Sequence, residues 1–68
     1  MESTYKVIQL IGSSSESWEK AASNAIEKAA KSVRDLRIAE VVEMDMQIED
    51  GKVVAYRTKL KISFKYED

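Results

Sequence analysis

One amphipathic stripe between positions 18 and 33 constrains the fold of this chain more than any other feature. Small and apolar side chains recur there at the three- and four-residue spacing of one helix face. The stripe comprises Trp18, Ala21, Ala22, Ala25, Ile26, Ala29, Ala30 and Val33. Because most of these side chains are alanine, the helix can lie close to whatever covers it, and a sheet wrapped around it is the natural partner.

A strand and a serine-rich turn precede this helix. Residues 5–11, YKVIQLI, are rich in β-branched and aromatic residues and predict a strand that Gly12 ends. Ser13 and Glu16 match the Ser-x-x-Glu capping box, and the next two serines offer alternative caps. Such a cluster also resembles an anion cradle, but a helix cap is the simpler interpretation.

Two further strands follow the helix, which we expect to fade near Asp35. From Ala39 onward apolar and polar residues alternate, which is typical of a half-buried strand. One face carries Val42, Met44, Met46 and Ile48, and the other carries Val41, Glu43, Asp45 and Gln47. We expect Met44 and Met46 to be core residues. Residues 53–66 predict a third strand, with apolar Tyr56, Leu60, Ile62 and Phe64 on one face and Arg57, Lys59, Lys61 and Ser63 on the other.

The turn between these two strands can be chosen by its register. A two-residue Asp50-Gly51 loop would place apolar side chains opposite charged ones, because a one-residue slip moves every side chain to the other face. A three-residue loop that adds Lys52 pairs Met46 with Tyr56, Met44 with Thr58 and Val42 with Leu60. It also pairs Asp45 with Arg57 and Glu43 with Lys59, so we predict this longer loop.

These elements predict an α+β fold of β-α-β-β order, in which a three-stranded antiparallel sheet wraps one helix. The 68 residues form a single domain, 1–68. A domain of this size buries only about 60% of the surface that its unfolded chain exposes and usually needs further support. Since the chain has no Cys and no His, disulfides and the commonest zinc ligands are excluded. Oligomerisation is the favoured support, and binding of a hard cation by oxygen ligands comes second.

Composition also excludes several functions. The net charge is −1, with 11 basic and 12 acidic residues, so no basic excess points to nucleic acid. No apolar run approaches the roughly 20 residues of a membrane span, and no signal-peptide pattern opens the sequence, so we expect a cytoplasmic protein. No nucleophile–base pair is evident, and we do not expect an enzyme.

The order of elements and several sequence stretches resemble the dodecin family. The similarity covers about residues 4–67 and includes the opening YKVIQLIGSSSESWEKAASNAIEKAAKSVRDL and the ending KLKISFKYED. The resemblance implies a hollow homododecamer in which the chain's partner is itself, and a storage function. The common dodecins bind flavins in pairs at a subunit interface, between tryptophans and near a Gln of the third strand.

Two positions depart from the flavin-binding pattern. Ile38 stands at the position of the flavin-stacking Trp, and Arg57 stands at that of the Gln. Ile38 offers apolar area but no ring face, and stacking contributes about 0.5–1.5 kcal/mol beyond the buried area. Flavin binding is therefore the alternative function.

The stretches SWEKAA, RIAEVVEMDM and YRTKLKISFK resemble the calcium-dodecin branch, which implies calcium as the ligand. Calcium takes six to eight oxygen ligands, and no EF-hand loop is present. A site would have to be assembled from several subunits, with Glu43, Asp45 and Glu40 as candidate ligands. Simple ion pairs are the competing interpretation: Glu43 with Lys59, and Asp45 with Arg57. Glu40 lies on the apolar face by parity, so it is expected at a subunit boundary or beside a bulge, and its competing interpretation is a salt bridge to an Arg or Lys of a neighbour.

Overall fold

A computed structural model describes residues 2–66. Its elements are β1 (Tyr5–Ser14), α1 (Trp18–Ala30), β2 (Leu36–Glu49) and β3 (Lys52–Lys65). The strands form one antiparallel sheet in the order β1-β3-β2, so the last strand is central and both of its neighbours are edge strands. The predicted α+β fold of β-α-β-β order is confirmed.

The core lies between α1 and the centre of the sheet. The helix buries three alanines spaced by four residues, Ala21, Ala25 and Ala29, as the stripe predicts. Facing them, β3 buries Thr58, Leu60 and Ile62, each only 1% exposed. Alternation along β3 therefore puts its even-numbered residues beneath the helix from Tyr56 onward, and its odd-numbered residues on the opposite face.

Gly12 lies inside β1 and does not end it, so the sequence-based boundary at this residue is wrong. It pairs with Thr58 in the middle of the sheet and is buried. A Cβ atom added at Gly12 would overlap the backbone carbonyl of Ala21 and lie 3.0 Å from the Cβ of Ala25. The residue is a glycine because the helix comes so close to β1, and the strand continues to Ser14.

The helix begins one turn later than the capping-box match predicts. Ser17 is the N-cap, and its hydroxyl accepts a hydrogen bond from the backbone N–H of Lys20 at 3.0 Å. Ser14 instead accepts a bond from the N–H of Glu16 in the preceding turn, at 2.9 Å. The predicted cap is wrong. An N-cap side chain accepts from the backbone N–H two or three residues further along, in the first turn of the helix. Since α1 begins at Trp18, Ser17 is the residue in that position.

The β2–β3 hairpin has the predicted register but not the predicted loop. Glu49 pairs with Lys52, so only Asp50 and Gly51 form the loop. Both have positive φ, 51° and 75°, as a type I′ turn requires. The extra residue that restores the register is a bulge at Val54, because Ile48 pairs with Val53 and Gln47 with Ala55.

A second bulge changes the face on which the start of β2 presents its side chains. Val41, not Val42, pairs with Leu60, while Glu43 pairs with Lys59, so Val42 is the extra residue. The predicted pairs Met46–Tyr56, Met44–Thr58, Asp45–Arg57 and Glu43–Lys59 are confirmed, and the pair Val42–Leu60 is wrong.

The expectation that Met44 and Met46 are core residues is also wrong within one chain. Their side chains are 58% and 45% exposed, because β2 lies mostly beyond the reach of the helix. The molecule is correspondingly elongated, 51 × 20 × 14 Å, with a radius of gyration of 13.9 Å. A compact chain of this length has a radius of about 11 Å.

Candidate metal-binding face

The sheet surface that faces away from α1, here called the outer face, presents acidic residues of β2 opposite basic residues of β3. Side chains alternate between the two faces along each regular stretch of strand, and each bulge shifts this alternation by one residue. Acid–base pairs along the ladder are Glu40 with Lys61, Glu43 with Lys59 and Asp45 with Arg57, followed by Glu49 with Lys52 next to the hairpin loop. All three predicted metal ligands therefore lie on one face.

Glu40 reaches this face because of the bulge at Val42. By simple alternation it would share the apolar side of β2 with Met44, as its parity indicates. The extra residue shifts the register by one, and Glu40 moves opposite Lys61. Of the alternatives weighed for Glu40, the position beside a bulge is confirmed. The sequence signal was the three-residue spacing between Glu40 and Glu43, where a regular strand would use two.

The Asp45–Arg57 pair is bidentate. Arg57 donates from Nε to Oδ1 at 2.7 Å and from Nη2 to Oδ2 at 2.8 Å, so both carboxylate oxygens are occupied. The hydrogen bonds from Arg57 hold the pKa of Asp45 below its ordinary value, and those same bonds raise the pKa of Arg57. Both side chains are about half exposed, so the pair can exchange with ions from solution.

The other two acids are held less firmly. Glu43 Oε1 lies 4.0 Å from Lys59 Nζ, at the limit of an ion pair, and its side chain is largely exposed. No ion pair within 4.0 Å joins Glu40 to any basic residue among residues 2–66. Glu40 and Glu43 therefore have the carboxylate oxygens that are most available to a cation.

Trp18 ties the helix to the strand that carries these acids. Its indole Nε1 donates to the backbone carbonyl of Asp45 at 3.0 Å, and its own carbonyl accepts from the hydroxyl of Thr58 at 2.9 Å. Its ring meets Tyr56 edge to face, with centroids 5.1 Å apart. The helix stripe identified Trp18 as apolar, but nothing in its spacing indicated that it positions β2.

The two positions that match flavin contacts do not meet within one chain. Ile38 is 68% exposed on the outer face opposite Ser63, whereas Arg57 lies opposite Asp45. Arg57 and Ser63 are six positions apart along β3, a distance of about 20 Å along a strand. Ile38 and Arg57 could therefore contribute to the same site only if they come from different chains.

The outer face of one chain does not form a closed cation site. Within residues 2–66, no group of three or more acidic side chains is close enough to hold a metal ion. Glu40, Glu43 and Asp45 of one chain can supply only a few carboxylate oxygens, fewer than the six to eight that calcium takes. The chemistry it offers is weak cation binding by one chain, or stronger binding where symmetry repeats the same carboxylates.

Comparison with known proteins gives a consistent picture. A sequence model of the family described as Dodecin matches residues 4–67. The calcium dodecin of Mycobacterium tuberculosis is 49% identical over 63 residues, which cover 93% of this chain and 89% of that protein. Within the described residues, no helix has the length and apolar character needed to cross a bilayer.

Solved structures with the same fold include proteins named dodecin and a protein named calcium dodecin. A crystal structure of the M. tuberculosis calcium dodecin, described as calcium chelating and as having a novel calcium-binding site, superposes with a TM-score of 0.85. It is 50% identical and covers 96% of this chain and 93% of its own. The dodecin from Streptomyces coelicolor superposes with a TM-score of 0.93 at 35% identity, over 97% and 94% of the two chains.

Proposed function

The chain belongs to the dodecin family, and from this premise we propose that it is a non-enzymatic binding and storage protein of the calcium-dodecin type. The observation that carries the proposal is the row of Glu40, Glu43 and Asp45, which the bulge at Val42 aligns on one exposed face. The 49% identity to a protein named calcium dodecin supports the choice of ligand. A cytoplasmic location and a single domain over residues 1–68 are part of the same proposal.

We propose that the protein works as a homododecamer, as is typical of its family. Support comes from β2, an edge strand of 14 residues whose side chains are mostly exposed in the single chain. Long apolar edge strands pair or aggregate unless they are covered. The chain has no disulfide, and its radius of gyration exceeds that of a compact monomer of the same length. Association with further copies would cover the exposed edge strand and would give the elongated chain the support that it lacks as a monomer.

The assembly also explains how the outer face would complete a calcium site. Near a two-fold or three-fold axis, each carboxylate is repeated by a second or third copy. Glu40 and Glu43 are the first candidates because, among residues 2–66, Glu40 has no ion pair within 4.0 Å and Glu43 approaches Lys59 only to 4.0 Å. Asp45 would join them only where calcium displaces Arg57 from its two oxygens. Carbonyl oxygens and water would supply the rest of the shell.

Calorimetric titration of chelator-stripped protein with calcium tests this proposal. The expected result is a saturable heat that is lost, or at least tenfold weaker, in a Glu40→Gln/Glu43→Gln double variant. Glu19→Gln/Glu27→Gln, which removes the same charge from the exposed side of α1, is the matched control and should bind as the wild type does. No heat at millimolar calcium, or an equal loss in both double variants, would rule out the outer face as the site.

A further inference from the structure

Two of the three candidate calcium ligands lie on a short regular stretch of β2 between two bulges. The ladder with β3 is interrupted at Val42 and again just after Gln47, so residues 43–47 pair regularly with residues 55–59. A bulge leaves a residue unpaired and increases the local twist. The carboxylates of Glu43 and Asp45 therefore depend on contacts other than a continuous ladder for a fixed position.

Trp18 supplies such contacts from the helix side of the sheet. Its indole Nε1 donates to the carbonyl of Asp45, the middle residue of the regular stretch, at 3.0 Å. Its ring meets Tyr56 at 5.1 Å between centroids, and its own carbonyl accepts from Thr58 at 2.9 Å. Tyr56 and Thr58 are the neighbours of Arg57, which pairs with Asp45. All three contacts of Trp18 therefore lie behind the Asp45–Arg57 pair.

We propose that Trp18 is a positioning residue of the calcium site, an inference that rests on the function proposed above. By fixing the backbone of Asp45, the indole N–H holds the carboxylates of Asp45 and Glu43 in place before calcium binds. Ligands that are already in place bind an ion at a lower cost in conformational entropy. The Trp18–Asp45 bond lies within one chain, so the proposal does not require either residue to be accessible in an assembly.

This role differs from that of a simple anchor between helix and sheet. An anchor contributes to the free energy of unfolding and leaves the affinity for calcium unchanged. A positioning residue is coupled to the ion, and such coupling is reciprocal: if the indole favours calcium binding, calcium equally favours the bond made by the indole. Groups that orient metal ligands without contacting the metal typically change metal affinity by about 10- to 100-fold when they are removed.

The experiment titrates calcium into chelator-stripped full-length protein by calorimetry, after light scattering has given the subunit number of each variant. Trp18→Phe keeps a ring beside Tyr56 but has no N–H. Since Trp18 is the only tryptophan in the chain, its replacement by benzothienylalanine during growth gives a second variant, in which sulfur takes the place of the N–H and the shape is kept. Thr58→Val is the matched control, because it removes the other hydrogen bond of Trp18 and leaves the bond to Asp45 intact.

Both replacements of Trp18 should bind calcium about tenfold more weakly than the wild type. Thr58→Val should bind it as the wild type does, even though its thermal midpoint falls. If Trp18→Phe fails to assemble, the benzothienylalanine protein decides. In isotope-labelled wild-type protein, calcium should shift the single indole N–H resonance, and it should leave that resonance unchanged in Glu40→Gln/Glu43→Gln.

Two kinds of failure can be distinguished. Wild-type affinity in the benzothienylalanine protein, an equal loss in Thr58→Val, or an indole resonance that does not move in calcium-loaded wild-type protein would overturn this inference and leave the proposed function intact. Wild-type protein that gives no heat with calcium would overturn the proposed function, and this inference with it.

Discussion

Arg57 holds both carboxylate oxygens of Asp45, at 2.7 and 2.8 Å, across the centre of the β2–β3 ladder. The backbone carbonyl of the same Asp45 accepts the indole N–H of Trp18. One residue of the acidic row is therefore fixed from both sides of the sheet: its side chain on the outer face and its backbone toward the helix. Within the described part of the chain, the neighbouring Glu43 is restrained only by a 4.0 Å approach to Lys59.

The first prediction concerns the pH dependence of this pair. Because the pKa of Asp45 is lowered in the folded state, the pair stabilises the fold above the ordinary carboxyl pKa of about 4. That contribution is lost as the pH falls through the lowered value. Asp45→Asn should therefore lower the thermal midpoint slightly at pH 7, and the difference from wild type should vanish in strong acid.

Thermal unfolding followed by circular dichroism, in steps from about pH 7 down to about pH 2, measures the effect. Glu27→Gln on the exposed side of α1 is the control for the loss of one negative charge. A constant difference between Asp45→Asn and wild type down to the lowest pH would show that the ion pair is not its source.

The second prediction concerns the closest approach of helix and sheet. Gly12→Ala should destabilise the protein by about 3 kcal/mol or more, because the added methyl group overlaps the carbonyl of Ala21 and backbone must move. Gly51→Asn is the matched control at a glycine with open space around it. It should cost less than about 1 kcal/mol, since Asn tolerates positive φ. Denaturant titration of both variants distinguishes them, and equal losses would refute the close packing at Gly12.

A third prediction separates the two possible helix caps. Ser17→Ala should cost about 1 kcal/mol of stability, because the N–H of Lys20 loses its acceptor. Ser13→Ala should leave the free energy of unfolding almost unchanged, although Ser13 belongs to the capping-box match. Urea titration of both variants tests this, and a larger loss for Ser13→Ala would place the start of the helix earlier.

The fourth prediction concerns the alternative ligand. Ile38 projects an aliphatic side chain from the outer face where the flavin-binding pattern has an aromatic ring. Wild-type protein should leave the fluorescence of micromolar riboflavin unchanged, whereas Ile38→Trp should quench it, because the substitution supplies a stacking surface. Ile38→Leu is the control for bulk alone. Strong quenching by the wild type would favour flavin storage over the calcium proposal.

Much of this structure follows from local patterns in the sequence. The alternation along β3 and the acid–base pairing of Asp45 with Arg57 are short-range signals that predict their strand and pair correctly. The alanine stripe predicts the helix and its start, but extends it beyond its observed end at Ala30. The single chain also bears out the position of Glu40 beside a bulge, because an acid three residues before Glu43 does not fit a regular strand.

The incorrect predictions share a physical cause. Each concerns a feature that is set by contacts between segments distant in the sequence. The bulge at Val54 leaves no pattern in its own neighbourhood, since a two-residue turn plus one extra residue gives the same register as a three-residue loop. Gly12 was interpreted as a strand end because its close neighbour, Ala21, belongs to another element. Met44 and Met46 alternate like core residues, but alternation does not say whether the helix or another copy of the chain covers them.

The most direct test of the account is native mass spectrometry of chelator-stripped protein before and after addition of calcium. We predict a homododecamer without flavin whose mass rises by a fixed number of calcium ions, and a Glu40→Gln/Glu43→Gln assembly of the same size that retains none. A monomer or small oligomer would contradict the proposed assembly. An intact dodecamer whose mass does not change with calcium, or that carries flavin, would contradict the calcium-dodecin function.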